Sequence, residues 1–136
     1  MKSTGRRSGL LLLASVVVLA SSCGKPIPKL VPVSGVVVNG DKPVSLVNVA
    51  FAADISKGGP TLDAYASTDA QGRFSLRTTL HGKGVPAGHY KVVISTDGPS
   101  GRLIPASITS LTTTKLEVDV PENGTEDMKI DLSKYN

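Results

Sequence analysis

The chain has no tryptophan, one cysteine, two histidines and an aromatic content of only 4%. Each shortage excludes something. A single cysteine cannot form a disulfide within the chain, so the domain must be held by its core alone. A zinc site wants about four His, Cys or carboxylate ligands. Cys23, His81 and His89 stand at no ligand-like spacing, so no metal and no cofactor is expected. A catalytic thiol needs a base and a structured pocket, whereas Cys23 lies between an apolar run and a proline-rich stretch. Without tryptophan the usual aromatic platform for sugars is missing, and Tyr65, Tyr90 and Tyr135 are the only tyrosines. The cationic excess is small as well. Three of the fifteen lysines and arginines (Lys2, Arg6, Arg7) precede the apolar run, so twelve cations face all eleven acids downstream of Cys23. That balance is no nucleic-acid footprint, which needs a clustered cationic face.

The 136 residues are enough for one domain and little else. Their first part has the order of a secretory signal: the basic residues above, then Leu10 to Ala20 (LLLLASVVVLA), then the small residues Ser21 and Ser22. Eleven apolar residues at 1.5 Å rise span about 17 Å, short of the ~30 Å hydrocarbon core, so a stable membrane span is not expected. Arg6-Arg7 invites a twin-arginine reading, but Ser8-Gly9-Leu10-Leu11 fits it only loosely.

Leu19-Ala20-Ser21-Ser22-Cys23-Gly24 resembles the bacterial lipobox, with Ala20 at a position where Leu is commonest. The resemblance implies that the Cys23 sulfur receives a diacylglyceryl group, that cleavage falls between Ser22 and Cys23, and that the new amine is acylated, commonly with palmitate. Each buried methylene contributes roughly 0.8 kcal/mol, and one acyl chain binds only marginally, so two or three chains make a stable anchor. The implied partner is therefore a membrane of the bacterial envelope. Gly24 is not the Asp that retains some lipoproteins at the inner membrane, which favours the outer membrane over the outer face of the inner one. Three prolines between Gly24 and Pro32 (GKPIPKLVP) favour an extended arm of about 3.1 Å per residue. The expected organisation is a signal peptide over 1–22, the lipidated cysteine and linker over 23–32, and a domain over 33–136.

From Val33 onward, short alternating runs are separated by turn signals, the pattern of an all-β fold. Val33 to Val38 ends in Asn39-Gly40-Asp41, a tight-turn signal. Val47 to Ala52 alternates around Phe51, Asp54 to Thr61 is rich in breakers, and Asp69-Ala70-Gln71-Gly72 is a turn before Arg73 to Arg77. Leu80 to Gly88 reads as loop, and His89 to Thr96 places Tyr90, Val92 and Ile94 on one side. Lys115 to Val120 and Asp127 to Leu132 alternate with Asn123-Gly124 between them, which predicts a hairpin. Ser107 to Thr114 is ambiguous. About seven short strands over about 100 residues predict a single antiparallel two-sheet sandwich.

Several of these segments resemble carboxypeptidase regulatory-like domains of the transthyretin-like type: Val33 to Val37, Gly40 to Val44, Val49 to Phe51, Thr68 to Leu76 (TDAQGRFSL) and Val85 to Ile94 (VPAGHYKVVI). Together with the lipobox, the layout is similar to small lipoproteins of planctomycete-type bacteria. The resemblance spans roughly Pro32 to Leu132 and implies a fold, not a ligand. Its motif residues Asp69, Gly72, Phe74, Gly88 and Tyr90 have structural readings: positive φ or tight turns for the glycines, an Asx turn for Asp69, and core filling for the aromatics. Among transthyretin-like sandwiches, hydroxyisourate hydrolase uses several histidines, an arginine and a closing Tyr-Arg-Gly-Ser. Two histidines and the segment Ser133-Lys134-Tyr135-Asn136 do not supply these, and no enzyme is expected. His81 and His89 are expected at exposed loops or strand edges. Asp69 to Gly72 offers one carboxylate where a calcium loop needs several oxygens. Asn123-Gly124-Thr125 has the form of a glycosylation sequon, but a turn is the expectation. Two functions remain: a non-catalytic, lipid-tethered module for envelope structure or protein contact, or a lipoprotein binding a small molecule or glycan through the loops Asp54–Thr61 and Leu80–Gly88.

Overall fold

The computed structural model describes residues 28–58 and 62–136, so the expected signal peptide, Ser22 and Cys23 lie outside the described residues. The chain is all-β. Its strands, in chain order, are β1 (Leu30–Val31), β2 (Val33–Asn39), β3 (Lys42–Pro43), β4 (Asn48–Ala53), β5 (Ala64–Ser67), β6 (Arg73–Ser75), β7 (Arg77–Thr78), β8 (Gly82–Lys83), β9 (Val85–Pro86), β10 (Gly88–Ser95), β11 (Glu117–Val120) and β12 (Thr125–Asp131). Only short 3-10 turns interrupt them among the described residues, the longest being Pro99–Leu103.

The larger sheet runs β11-β10-β4-β5-β7-β8 and the smaller β12-β2-β3, with β6 also paired to β2. Period-two alternation explains which side of each strand is buried. In β4, Val49 and Phe51 are fully buried while Ala50 is exposed; in β10, Tyr90, Val92 and Ile94 are buried and His89, Lys91 and Val93 face the other way. Val33, Val37, Phe74 and Ile130 of the smaller sheet join these residues in one hydrophobic core. The two inner faces thus share a core, as in a β-sandwich. The Phe51 and Tyr90 rings meet at its centre, 5.6 Å apart and tilted by 48°.

The turn signals fall where expected in two cases. Asn39 pairs with Lys42 across Gly40-Asp41 in a tight β2–β3 hairpin. In the other, Asp69 Oδ1 accepts the amides of Gln71 and Arg73, both at 2.9 Å, and Gly72 sits at φ 75°. A Cβ at Gly72 would stand 2.7 Å from the Val37 carbonyl, so this turn needs both the left-handed backbone and the missing side chain.

Other expectations are corrected. Asn123-Gly124 does not close a hairpin: β11 pairs with β10 in the larger sheet, whereas β12 pairs with β2 in the smaller. Pro121 to Gly124 turns the chain between sheets (the Gly124 amide donates to the Pro121 carbonyl at 2.9 Å), and Thr125 then donates to the Pro32 carbonyl at 2.9 Å. The β2–β12 pair is parallel, so the smaller sheet is mixed, whereas every pairing of the larger sheet is antiparallel. Parallel neighbours need a long connection, and here nearly the whole domain lies between them. Leu80 to Gly88 is not free loop. It holds β8 and β9, and Val85 is fully buried. Strand pairing also begins at Leu30, inside the proline-rich stretch, where β1 pairs with β9. The ambiguous Ser107 to Thr114 segment is a run of turns that buries Ile108.

Candidate functional site

The outer face of the larger sheet carries the chemistry. Three adjacent strands converge at one end of it. His89 lies opposite Asp119 and Lys91 opposite Glu117 in the β10–β11 pairing, which places Glu117 diagonal to His89 on the same face. On the other side of β10, Asp54 follows β4, and its amide donates to the His89 carbonyl at 3.2 Å. The 3-10 turn Ile55–Lys57 then folds over this corner.

One donor atom each from Asp54, His89 and Glu117 lies within 4.8 Å of the others. Asp54 is only 8% exposed. Its Oδ1 accepts the Ser56 hydroxyl at 2.6 Å, while its buried Oδ2 has no hydrogen-bond partner among the described residues. His89 Nδ1 stands 2.7 Å from Asp119 Oδ1. His89 Nε2 is buried, unpartnered among the described residues, and 3.7 Å from Glu117 Oε1. Lys57 Nζ lies 3.3 Å from both Glu117 oxygens.

The titration behaviour follows from these contacts. The Asp119 carboxylate raises the His89 pKa above its ordinary value, against the opposing effect of burial. The Ser56 hydroxyl lowers that of Asp54, and the Lys57 ammonium lowers that of Glu117. The corner therefore holds two ionised carboxylates around an imidazole that favours positive charge.

A second feature of the same face is an open apolar groove of about 520 Å³. Ala50, Ala52 and Val93 line it together with Tyr65 and Leu111, which are 52% and 51% exposed.

The residues singled out in the sequence do not converge on either feature. Asp69, Gly72 and Phe74 form the β5–β6 turn and the start of β6, with Phe74 in the core. Gly88, at φ 143°, opens β10, and Tyr90 is fully buried with its hydroxyl donating to the Pro86 carbonyl at 2.6 Å. His81 is exposed, as expected. His89 is not at an edge: β10 has a neighbour on each side, and the imidazole is 18% exposed. Cys23, His81 and His89 show no ligand-like spacing in the sequence, and Asp54 and Glu117 meet His89 only through strand pairing. The alternation KLEVDV, with its two acids on one face, was the only signal in the sequence. No family model, curated protein or solved structure matches the chain.

Proposed function

We propose that the chain is a lipid-anchored, non-catalytic module of the bacterial cell envelope, with a transthyretin-like sandwich carried close to the membrane. The observation that carries this reading is the order of segments: a basic start, an apolar run, LASSC, and then a domain whose first paired residue, among the described residues, is Leu30. Leu30 stands seven positions after Cys23, an arm of roughly 20 Å if extended. Cleavage between Ser22 and Cys23 and acylation of Cys23 would attach that arm to lipid, with the outer membrane favoured. The non-catalytic part rests on the motif residues: Asp69, Gly72, Phe74, Gly88 and Tyr90 are each accounted for by a turn or by packing. The test is metabolic labelling with radioactive palmitate. Lipid on the wild type and none on Cys23→Ala is the expected result; unlabelled wild type, or equal labelling of the variant, overturns it.

A second reading is favoured by the apolar groove beside Tyr65. An exposed aromatic ring and Leu111 flanking small apolar side chains can hold a small molecule or glycan, on a surface separate from Leu80–Gly88. A thermal-shift screen against metabolites and glycans, repeated with Tyr65→Ala, separates this reading from a purely structural or protein-binding module. A reproducible shift that Tyr65→Ala abolishes would favour ligand binding.

A further inference from the structure

A buried carboxylate oxygen and a buried imidazole nitrogen, both without partners among the described residues, sit at one corner of the sheet, and the hydrogen bonds around them say what they lack. A carboxylate oxygen stands 2.7 Å from His89 Nδ1 and accepts from it, so Nδ1 carries a ring proton. In a neutral ring Nε2 is then a bare lone pair. The atom is itself buried and lies 3.7 Å from a Glu117 oxygen, which is also an acceptor. The buried Oδ2 of Asp54 is a third acceptor with no donor among the described residues. Two of these three atoms are buried away from water, and buried acceptors beside one another require positive charge between them. A proton on Nε2 would face Glu117, whose oxygens already accept from Lys57, and leave the Asp54 oxygen unsatisfied, whereas one cation serves all three.

We propose that Asp54, His89 and Glu117 form a binding site for a single first-row divalent cation, zinc above all, with Asp119 as the carboxylate that orients the histidine. The donor set decides the class of ion. One imidazole and two carboxylates suit zinc and its first-row neighbours, whereas calcium and magnesium take all-oxygen shells. Three protein ligands leave a fourth position for water, as in open zinc sites. The Asp119–His89 pair is the outer partner that fixes which nitrogen binds.

The geometry is near what a metal needs. Around a tetrahedral zinc with bonds of about 2.0–2.1 Å, neighbouring donors stand about 3.4 Å apart. The donors lie within 4.8 Å of one another, so the site must draw in by up to about 1.4 Å. Glu117 can supply that movement, since its side chain is 34% exposed and its hydrogen-bond donor Lys57 is itself 53% exposed. Lys57 places its own positive charge where the metal would sit against Glu117, so it competes with the ion.

The test is isothermal titration of the untagged, chelator-stripped full chain in detergent with zinc, and with calcium as the comparison. One equivalent of zinc is expected and no calcium. His89→Gln should weaken zinc binding roughly a hundredfold, Asp54→Asn and Glu117→Gln roughly tenfold or more, and Asp119→Asn between about 10- and 100-fold. His81→Gln should change nothing, and Lys57→Met should tighten binding by removing the competing charge. Should His89→Gln fail to fold, Glu117→Gln and Lys57→Met carry the test, because both positions are on the surface. No heat at millimolar zinc overturns the proposal. So does binding that His81→Gln abolishes, or that neither Glu117→Gln nor Lys57→Met alters.

Discussion

Replacing Tyr90 by phenylalanine deletes one oxygen from the middle of the core. The hydroxyl donates to the Pro86 carbonyl at 2.6 Å, and Tyr90 has no exposed surface. The ring remains in its 5.6 Å contact with Phe51, so no cavity opens and the loss is confined to the hydrogen bond. A hydrogen bond contributes about 1 kcal/mol net, and leaving its acceptor buried without that donor brings the cost to about 1–3 kcal/mol. A value near 2 kcal/mol lowers the Tm of a domain of this size by roughly 10 °C. Urea unfolding should show the lower midpoint with an unchanged slope. Alkaline titration adds an independent readout. Burial, with a smaller contribution from the Asp63 charge, raises the Tyr90 pKa well above the ordinary 10.0. A pKa raised on folding contributes stability that is complete below the unfolded value. It is lost as the pH rises from about 10 toward the folded value. Wild type should lose stability over that range more steeply than Tyr90→Phe. A variant with the wild-type Tm and the same alkaline slope would refute the assignment of this hydroxyl to Pro86.

Two further outcomes follow from close contacts. Gly35 lies against the Met128 carbonyl in the parallel β2–β12 pair, where the register shifts, and an added Cβ would overlap that oxygen. Gly35→Ala should lower stability by about 1–3 kcal/mol, read as a reduced urea midpoint; a variant as stable as wild type would show that the two strands are not so close. Asp131 Oδ1 accepts the Ser133 hydroxyl at 2.7 Å and the amides of Gly40 and Ser133 at 3.0 and 3.1 Å. The Ser133 hydroxyl, then the Gly40 amide, hold its pKa below the ordinary 3.8. That stability is present above the unfolded value and is lost as the pH falls below it through the folded one. Asp131→Asn should therefore show a shallower acid loss than wild type, and equal slopes would count against the contact.

Local signals carried much of the fold. β4 and the start of β10 were legible because a half-buried strand alternates with period two, as Val49 and Phe51 or Tyr90, Val92 and Ile94 do. The Gly40-Asp41 and Asp69–Gly72 turns were legible because their chemistry is contained in a few consecutive residues. Pro121 to Gly124 misled for the same reason: a turn signal says that the chain bends, not which sheet receives it. Val85 was read as loop because glycines and a proline surround it, yet the β1–β9 ribbon and the core claim it. The corner of Asp54, His89 and Glu117 lay beyond local reading altogether. Its members are 35 and 28 positions apart in sequence, and no spacing rule links them.

Composition and order alone were enough for an all-β domain with no internal disulfide, for the weak net charge beyond Cys23, and for the expectation of a lipid anchor. These follow from residue types and from neighbours along the chain. Tertiary structure decided how β12 pairs, where the open groove lies, and which acids surround His89. Those outcomes depend on strand register, which places residues distant in sequence on one face and removes water from between them. The charge that such a corner requires is set by that register, and a list of residues does not contain it.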